Sequence, residues 1–547
     1  MTRKTLLLLV SLLAACGGSG TGETPRVDTV LFNGKVVTLD EASTIASVVV
    51  IDKGRIQAVG GDDLRSRYSA TNSTDLQGRM VMPGFVDSHT HIRGQPKRYI
   101  ALNDTRSIRE LKQLVRDKSA ELGPGEWITG YGWSEDVMEE SRRPLRGDLD
   151  EAAPHNPVYL QRAGGHSAVV NSLGLEIAGI DKATADPDGG VIERDETGEL
   201  NGLIREPRQL VSQFIPEASD EDVRDSLVGM LKAQLSLGIT SLVQAEDTIG
   251  HYPEWERIYA SHSGDLPRAA VQVAWEGSDV MAQFGRKSGD GDEFLKVGAV
   301  KIFVDGGFTG PAAFTKEPYS GESEYRGMLN MSIEALRRII REAHSAGWQL
   351  GIHAIGDAAI ELTVDELVDA LQALPRPDHR HYLNHFTVMP SADTMDAMAA
   401  SGIAITQQPN FTYTLEGRYV EYLDGDRLQH NNPLRTPMQH GIHVAISSDI
   451  LPIGPMTGIY AAVTRKGMSG KVFGADEKLT VNEALRAYTS LGAWLTNEED
   501  RKGTIETGKF ADLVVLDQDI LNVDPDHIMN INVVQTWLGG KLVYQRE

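Results

Sequence analysis

The chain has 547 residues, 41% hydrophobic and 24% charged, which excludes a disordered or fibrous protein. A formal charge of −24 without a compensating basic stripe argues against nucleic acid as a partner. The length allows more than one structural unit, although an α/β barrel can absorb much of it as one domain.

Met1-Thr2-Arg3-Lys4 is basic, and Thr5 to Ala15 is apolar or small. That run is too short to span a bilayer comfortably, so residues 1–16 read as an export signal. Leu13-Ala14-Ala15-Cys16 resembles the bacterial lipobox, which predicts lipidation of Cys16 and anchoring in the bacterial cell envelope. The alternative is an ordinary cleaved signal with an incidental cysteine. Cys16 is the only cysteine, so neither an intramolecular disulfide nor a thiolate metal site is available. Residues 17–27 open with Gly17-Gly18-Ser19-Gly20 and read as a flexible tether.

Residues 28–80 alternate short β-like runs with turns. Asn33-Gly34 and Lys53-Gly54 between β-branched runs predict hairpins. Residues 501–547 show the same style in Ala511 to Asp517 and Val533 to Tyr544, so both termini are expected to build one β-sandwich beside the main domain.

Residues 81–500 alternate apolar runs with helical patterns, the signature of repeated βα units around a parallel sheet. The first run, Val81 to His91, reads as one buried strand entered through a Pro-Gly turn. Further strands are predicted at 238–244, 269–275, 297–305, 349–353, 381–385, 403–407 and 443–449. Together they make eight, the number that closes a TIM barrel. A helix is predicted over 333–344, with Ser332 as its cap. The stretch from about Arg93 to Asp225 exceeds one crossover and reads as an insertion after the first strand, with its own strand at 157–162.

Polar residues at the strand ends carry the chemistry. His89 and His91 are two apart on a strand, so both can face one metal ion. Lys301, His353, His385 and Asp449 each lie in or just after a predicted strand, at the end where barrel enzymes place their chemistry. An ammonium inside a barrel strand costs several kcal/mol unless it is paired or neutralised. Lys301 is therefore expected either to react with carbon dioxide and become a bridging carbamate, or to pair with a carboxylate such as Asp305. In the insertion, a Gly-Gly turn projects His166 either over the mouth to bind substrate or into a structural hydrogen bond, and Asn171 is a second substrate-binding candidate. Gly306 to Gly310 lacks any nucleotide fingerprint and reads as an access loop. Trp127, Tyr131 and Trp133, like Met395 and Met398, read as packing residues.

With these residues in view, the chain resembles the amidohydrolase superfamily, in the branch containing N-substituted formamide deformylase. The likeness lies in Pro83 to His91, Lys301 to Gly306, Ile352 to Asp357, Asn384-His385-Phe386 and Ser447-Ser448-Asp449. Gly165-His166-Ser167 with Asn171-Ser172, and Lys502 to Val514, share it. The resemblance implies a metal-dependent TIM barrel with a composite β-sandwich. It further implies His89 and His91 on one zinc, His353 and His385 on the other, carboxylated Lys301 between them, and Asp449 on the first metal. Imidazole and carboxylate donors suit zinc, with manganese or iron as alternatives and one or two ions per chain.

The expected activity is hydrolysis of a non-peptide C–N bond in a small molecule such as an N-acyl or N-formyl amine or a cyclic amide, with Asp449 as general acid/base. An esterase-type hydrolase and a non-catalytic metal- or solute-binding lipoprotein are the alternatives. Membrane contact is expected through the lipid anchor alone. A homo-oligomer is as compatible with the sequence as a monomer.

Overall fold

The computed structural model describes residues 24–546 except 104, 136–137, 163–166, 188–189, 206–208, 263, 309 and 450–452. The export signal, Cys16 and His166 lie outside the described residues. Among the described residues, eight parallel strands form one sheet in sequence order. They are β1 (Phe85–Thr90), β2 (Ile239–Asp247), β3 (Arg268–Ala274), β4 (Leu295–Phe303), β5 (Leu350–Ala354), β6 (Tyr382–His385), β7 (Ala404–Gln407) and β8 (Val444–Ile446). A parallel bridge between Thr90 and Asp449 brings the last strand beside the first, so the sheet curls into a nearly closed barrel. Both faces of these strands are covered, which is why they read as mainly apolar runs. The helix Ile333–Ser345 begins as expected, with the Ser332 hydroxyl accepting from Ala335 N at 3.2 Å. It buries Leu336, Ile340 and Ala343, one face of a 3.6-residue period.

The run from Val81 to His91 is divided, contrary to its reading as one strand. Met80–Pro83 pairs antiparallel with Leu513–Leu516 in a different sheet, and only Phe85–Thr90 enters the barrel. Gly84 is the joint. A Cβ there would lie 2.2 Å from Thr240 Oγ1 and 2.7 Å from Thr240 Cβ, so no side chain fits. Both halves are fully buried, each in its own sheet, and the apolar run from Val81 to Val86 crosses the joint, so hydropathy hides the boundary.

The termini build the expected composite sandwich. One sheet orders Arg55–Gly60, Val48–Asp52, Arg26–Phe32 and Ser69–Asp75, all from the N-terminal segment. The other interleaves Lys541–Gln545, Val533–Leu538 and Leu513–Leu516 with Met80–Pro83, Lys35–Val37 and Ile45–Ala46. Leu31, Val49, Ile51, Val81, Leu513 and Val515 pack between them. Lys53-Gly54 makes the predicted hairpin, with both residues at positive φ and Asp52 opposite Arg55. Asn33-Gly34 does not. It carries the chain from one sheet to the other, because its flanking strands find their partners elsewhere.

Within the insertion, the described residues form a mixed sheet from Tyr99–Ala101 to Leu200–Arg205, of which Val158–Arg162 is the strand read from sequence. It has its own core, in which Trp133 is fully buried and donates Nε1–H to the Leu160 carbonyl at 2.9 Å. Trp127, Met395 and Met398 are buried as expected, whereas Tyr131 is 36% exposed.

Candidate metal centre

Parallel strands place all their C-terminal ends at one rim, which is where the polar residues collect. His89 lies in β1 and His91 just beyond it, Lys301 near the end of β4, His353 in β5, His385 at the end of β6, and Asp449 after β8. Strand register aligns them: Phe303 pairs with His353, His353 with Asn384, and Ala354 with His385. His385 and Asp449 adopt φ of 80° and 60°, a left-handed conformation unusual for non-glycine residues and one that clusters at functional sites.

The side chains converge. Ligand atoms of His89, His385 and Asp449 lie within 4.8 Å of one another. The Asp449 carboxylate stands 3.6 Å from His91 Nε2, 3.8 Å from His89 Nε2 and 3.7 Å from His385 Nδ1. The His353 ring centroid is 4.4 Å from that of His385, and the His89 centroid is 4.9 Å from it on the other side. His385 thus stands between the His89 ring and the His353 ring, and shares the rim with Asp449.

Burial sets the protonation states. It lowers the His91 and His353 imidazoles to about 3, with the Lys301 charge acting in the same direction. His89 and His385 are likewise held well below the usual imidazole range, by burial first. All four rings are therefore neutral near pH 7 and carry a lone pair. Burial lowers the Lys301 ammonium to about 8 against the pull of Asp449 and Glu246, and raises the Asp449 carboxyl to about 6 against Lys301 and Arg93.

Several buried atoms here have no hydrogen-bond partner: His89 Nε2, His91 Nδ1, His353 Nε2 and Lys301 Nζ. Orphaned buried polar atoms are costly and call for an explanation. Neutral imidazole lone pairs converging with a carboxylate fit a divalent cation. Lys301 forms no ion pair with Asp305, the partner that the sequence reading offered as an alternative. Asp305 instead accepts from the backbone N–H groups of Phe314, Ile355 and Gly356 at 2.9 to 3.0 Å. Its Oδ1 also lies 3.7 Å from His353 Nε2.

Asn171 does not serve the mouth. It is buried as the N-cap of the helix Ser172–Ile177, its Oδ1 accepting from Gly174 N at 3.0 Å and Val158 N at 2.9 Å. Its Nδ2 donates to the Asn156 carbonyl at 2.8 Å, so the substrate-binding reading gives way to a structural one. The sequence reading missed Asn384, whose Oδ1 lies 2.6 Å from His89 Nδ1, and Gln408, whose Oε1 lies 2.7 Å from His385 Nδ1. A cavity of about 370 Å³ opens at the same rim, lined by Ile92, Arg93, Gln244, Glu246, His251 and Trp255 among others. It adjoins the cluster, since Ile92 and Arg93 directly follow His91 and Glu246 acts on Lys301.

The profile described as the amidohydrolase family matches residues 73–544. A putative amidohydrolase of Bacillus subtilis, YtcJ, is 32% identical over 533 residues, covering 94% of this chain and 98% of its own. N-substituted formamide deformylase of Arthrobacter pascens is 28% identical over 547 residues, covering 95% and 98%. Among solved structures, an uncharacterized metal-dependent hydrolase from Pyrococcus horikoshii superposes with a TM-score of 0.70 at 26% identity, covering 91% of this chain and 99% of its own.

Proposed function

The chain belongs to the amidohydrolase family, and from that membership we propose that it hydrolyses a non-peptide carbon–nitrogen bond in a small molecule. The substrate class is an N-acyl or N-formyl amine, a cyclic amide or a related compound. One observation carries this reading: polar side chains from separate strands meet at one rim with buried, unpartnered nitrogen atoms. Similarity to the formamide deformylase along nearly the whole chain supports the amide class.

His89, His91, His353, His385, Asp449 and a carboxylated Lys301 would hold one or two divalent ions, zinc being the best match to the donor set. When bound, such an ion supplies Lewis acidity, polarising the substrate carbonyl and making water acidic enough to attack near neutral pH. Asp449 accepts the proton of the attacking water as the new C–O bond forms. When the C–N bond breaks, Asp449 delivers that proton to the departing nitrogen, releasing a carboxylic acid and an amine. The lowered Lys301 ammonium, about 8, leaves enough free amine to attack carbon dioxide, forming an N–C bond and losing a proton to give the anionic carbamate. Cys16, by its lipobox-like context, would tether the enzyme to the envelope.

The test is turnover of matched N-formyl amines and formate esters by zinc-loaded protein. Faster amide hydrolysis supports the reading. Ester hydrolysis alone, or tight metal binding without turnover of either, overturns it.

A further inference from the structure

We propose that Gln408 is a positioning residue that holds His385 in the Nδ1–H tautomer, so that the ring offers Nε2 to the ion. The inference rests on the reading of this histidine as a metal ligand.

Gln408 lies one residue beyond β7 and is fully buried. Its Nε2 donates to Ser447 Oγ at 2.9 Å and to the Thr406 carbonyl at 3.3 Å. A carbonyl oxygen can only accept, so the nitrogen end of the carboxamide is fixed on that side. The oxygen end consequently faces His385 Nδ1, at 2.7 Å. An amide oxygen carries no proton, so the ring nitrogen must donate, and a neutral ring then keeps its lone pair on Nε2.

The amide is braced from three strands. Ser447 Oγ lies 3.2 Å from Thr406 Oγ1, which lies 2.5 Å from Ser88 Oγ, and Ser88 donates to the Ile446 carbonyl at 3.0 Å. This chain of hydroxyls runs through the seam between β1, β7 and β8, so the rigidity of the barrel reaches His385 through Gln408. On β6, Asn384 sits beside His385 in sequence yet presents Oδ1 to His89 Nδ1 at 2.6 Å. His89 Nε2 is left buried and unpartnered.

Metal-binding histidines usually donate their second ring N–H to a carboxylate, a backbone carbonyl or water. A neutral carboxamide at Gln408 fixes the His385 tautomer without adding charge beside the ion.

The test uses the full chain labelled with ¹⁵N-histidine. Two-bond ¹H–¹⁵N spectra of the metal-free protein report each tautomer, with His89 and His385 assigned from single-histidine variants. Zinc competition against a chromophoric chelator reports affinity. His385 is expected as Nδ1–H in the wild type. Gln408→Met is expected to mix the tautomers of His385 alone and to weaken zinc binding by about 10- to 100-fold. Gln408→Glu restores an acceptor and is expected to keep the Nδ1–H form and tight binding, and it decides the matter if the methionine variant does not fold. A wild type that binds zinc with His385 as Nε2–H, or a folded Gln408→Met with unchanged tautomer and affinity, overturns the positioning role alone. A wild type with His385 as Nδ1–H that binds no zinc overturns the metal reading and the inference with it.

Discussion

Thr90 and Asp449 join the last barrel strand to the first: they form a parallel bridge, and Thr90 Oγ1 donates to the Asp449 carbonyl at 2.9 Å. Asp449 N donates in turn to the His89 carbonyl at 2.9 Å. The backbone that closes the barrel is therefore the backbone that aims the carboxylate, and the side chain is free to serve the site.

Because Asp449 joins the seam through main-chain atoms alone, Asp449→Asn should leave the fold standing while removing the proton carrier. Turnover should fall by about 10²- to 10⁴-fold, with a thermal midpoint near that of the wild type. Full turnover in the asparagine variant would remove Asp449 from the proton-transfer role.

Lys301 buries an ammonium without a hydrogen-bond partner, 4.8 Å from the centre of the Phe303 ring. Protein prepared with ¹³C-bicarbonate should show a carbamate carbon signal that Lys301→Met lacks. Elemental analysis should find about two ions per chain in the wild type and fewer in the variant. Equal metal content and no carbamate signal would demote Lys301.

Asn171 supplies a helix cap and bonds to three other backbone groups of the insertion. Asn171→Ala should cost about 2 kcal/mol in urea unfolding and leave KM unchanged. A raised KM at unchanged stability would return Asn171 to substrate binding.

Gly84 admits no Cβ against Thr240. Gly84→Ala should lose about 1–3 kcal/mol, seen as a lower urea midpoint, because backbone in two sheets would have to separate. An unaltered midpoint would show that the joint has slack.

Glu498 is held between Lys296 at 2.8 Å and Lys502 at 2.6 Å. Burial alone would raise its carboxyl, but Lys502 and Lys296 outweigh burial and lower it from 4.5 to about 2. A carboxyl depressed in the folded state stabilises fully above its unfolded pKa, so this contribution holds above pH 4.5 and is lost as pH falls towards 2. In urea unfolding followed from pH 7 downward, Glu498→Gln should be less stable than wild type at neutral pH and converge with it in acid. A constant difference across that range would assign the effect to packing.

The eight barrel strands were legible because strands buried on both faces are largely apolar, and Gly, Pro or polar turns bound the runs. His89 and His91 were legible because a two-residue spacing on a strand is a local rule. The same locality set the limits. Met80–Pro83 and the start of Phe85–Thr90 are both apolar, yet the two strands join different sheets. The Asn33-Gly34 turn has hairpin chemistry, yet its flanking strands pair in different sheets.

For the site, residue types at strand ends identified which side chains would gather at the rim, and the family likeness named their chemistry. Only the closed barrel decided how they are grouped, since His385 meets His89 and Asp449 through the curvature of the sheet. Asn384 and His89 are 295 positions apart, and Gln408 acts through a hydroxyl network crossing the seam. Sequence spacing encodes what one strand or helix presents. Hydrogen bonds between strands depend on register and closure, which exist only once the chain has folded.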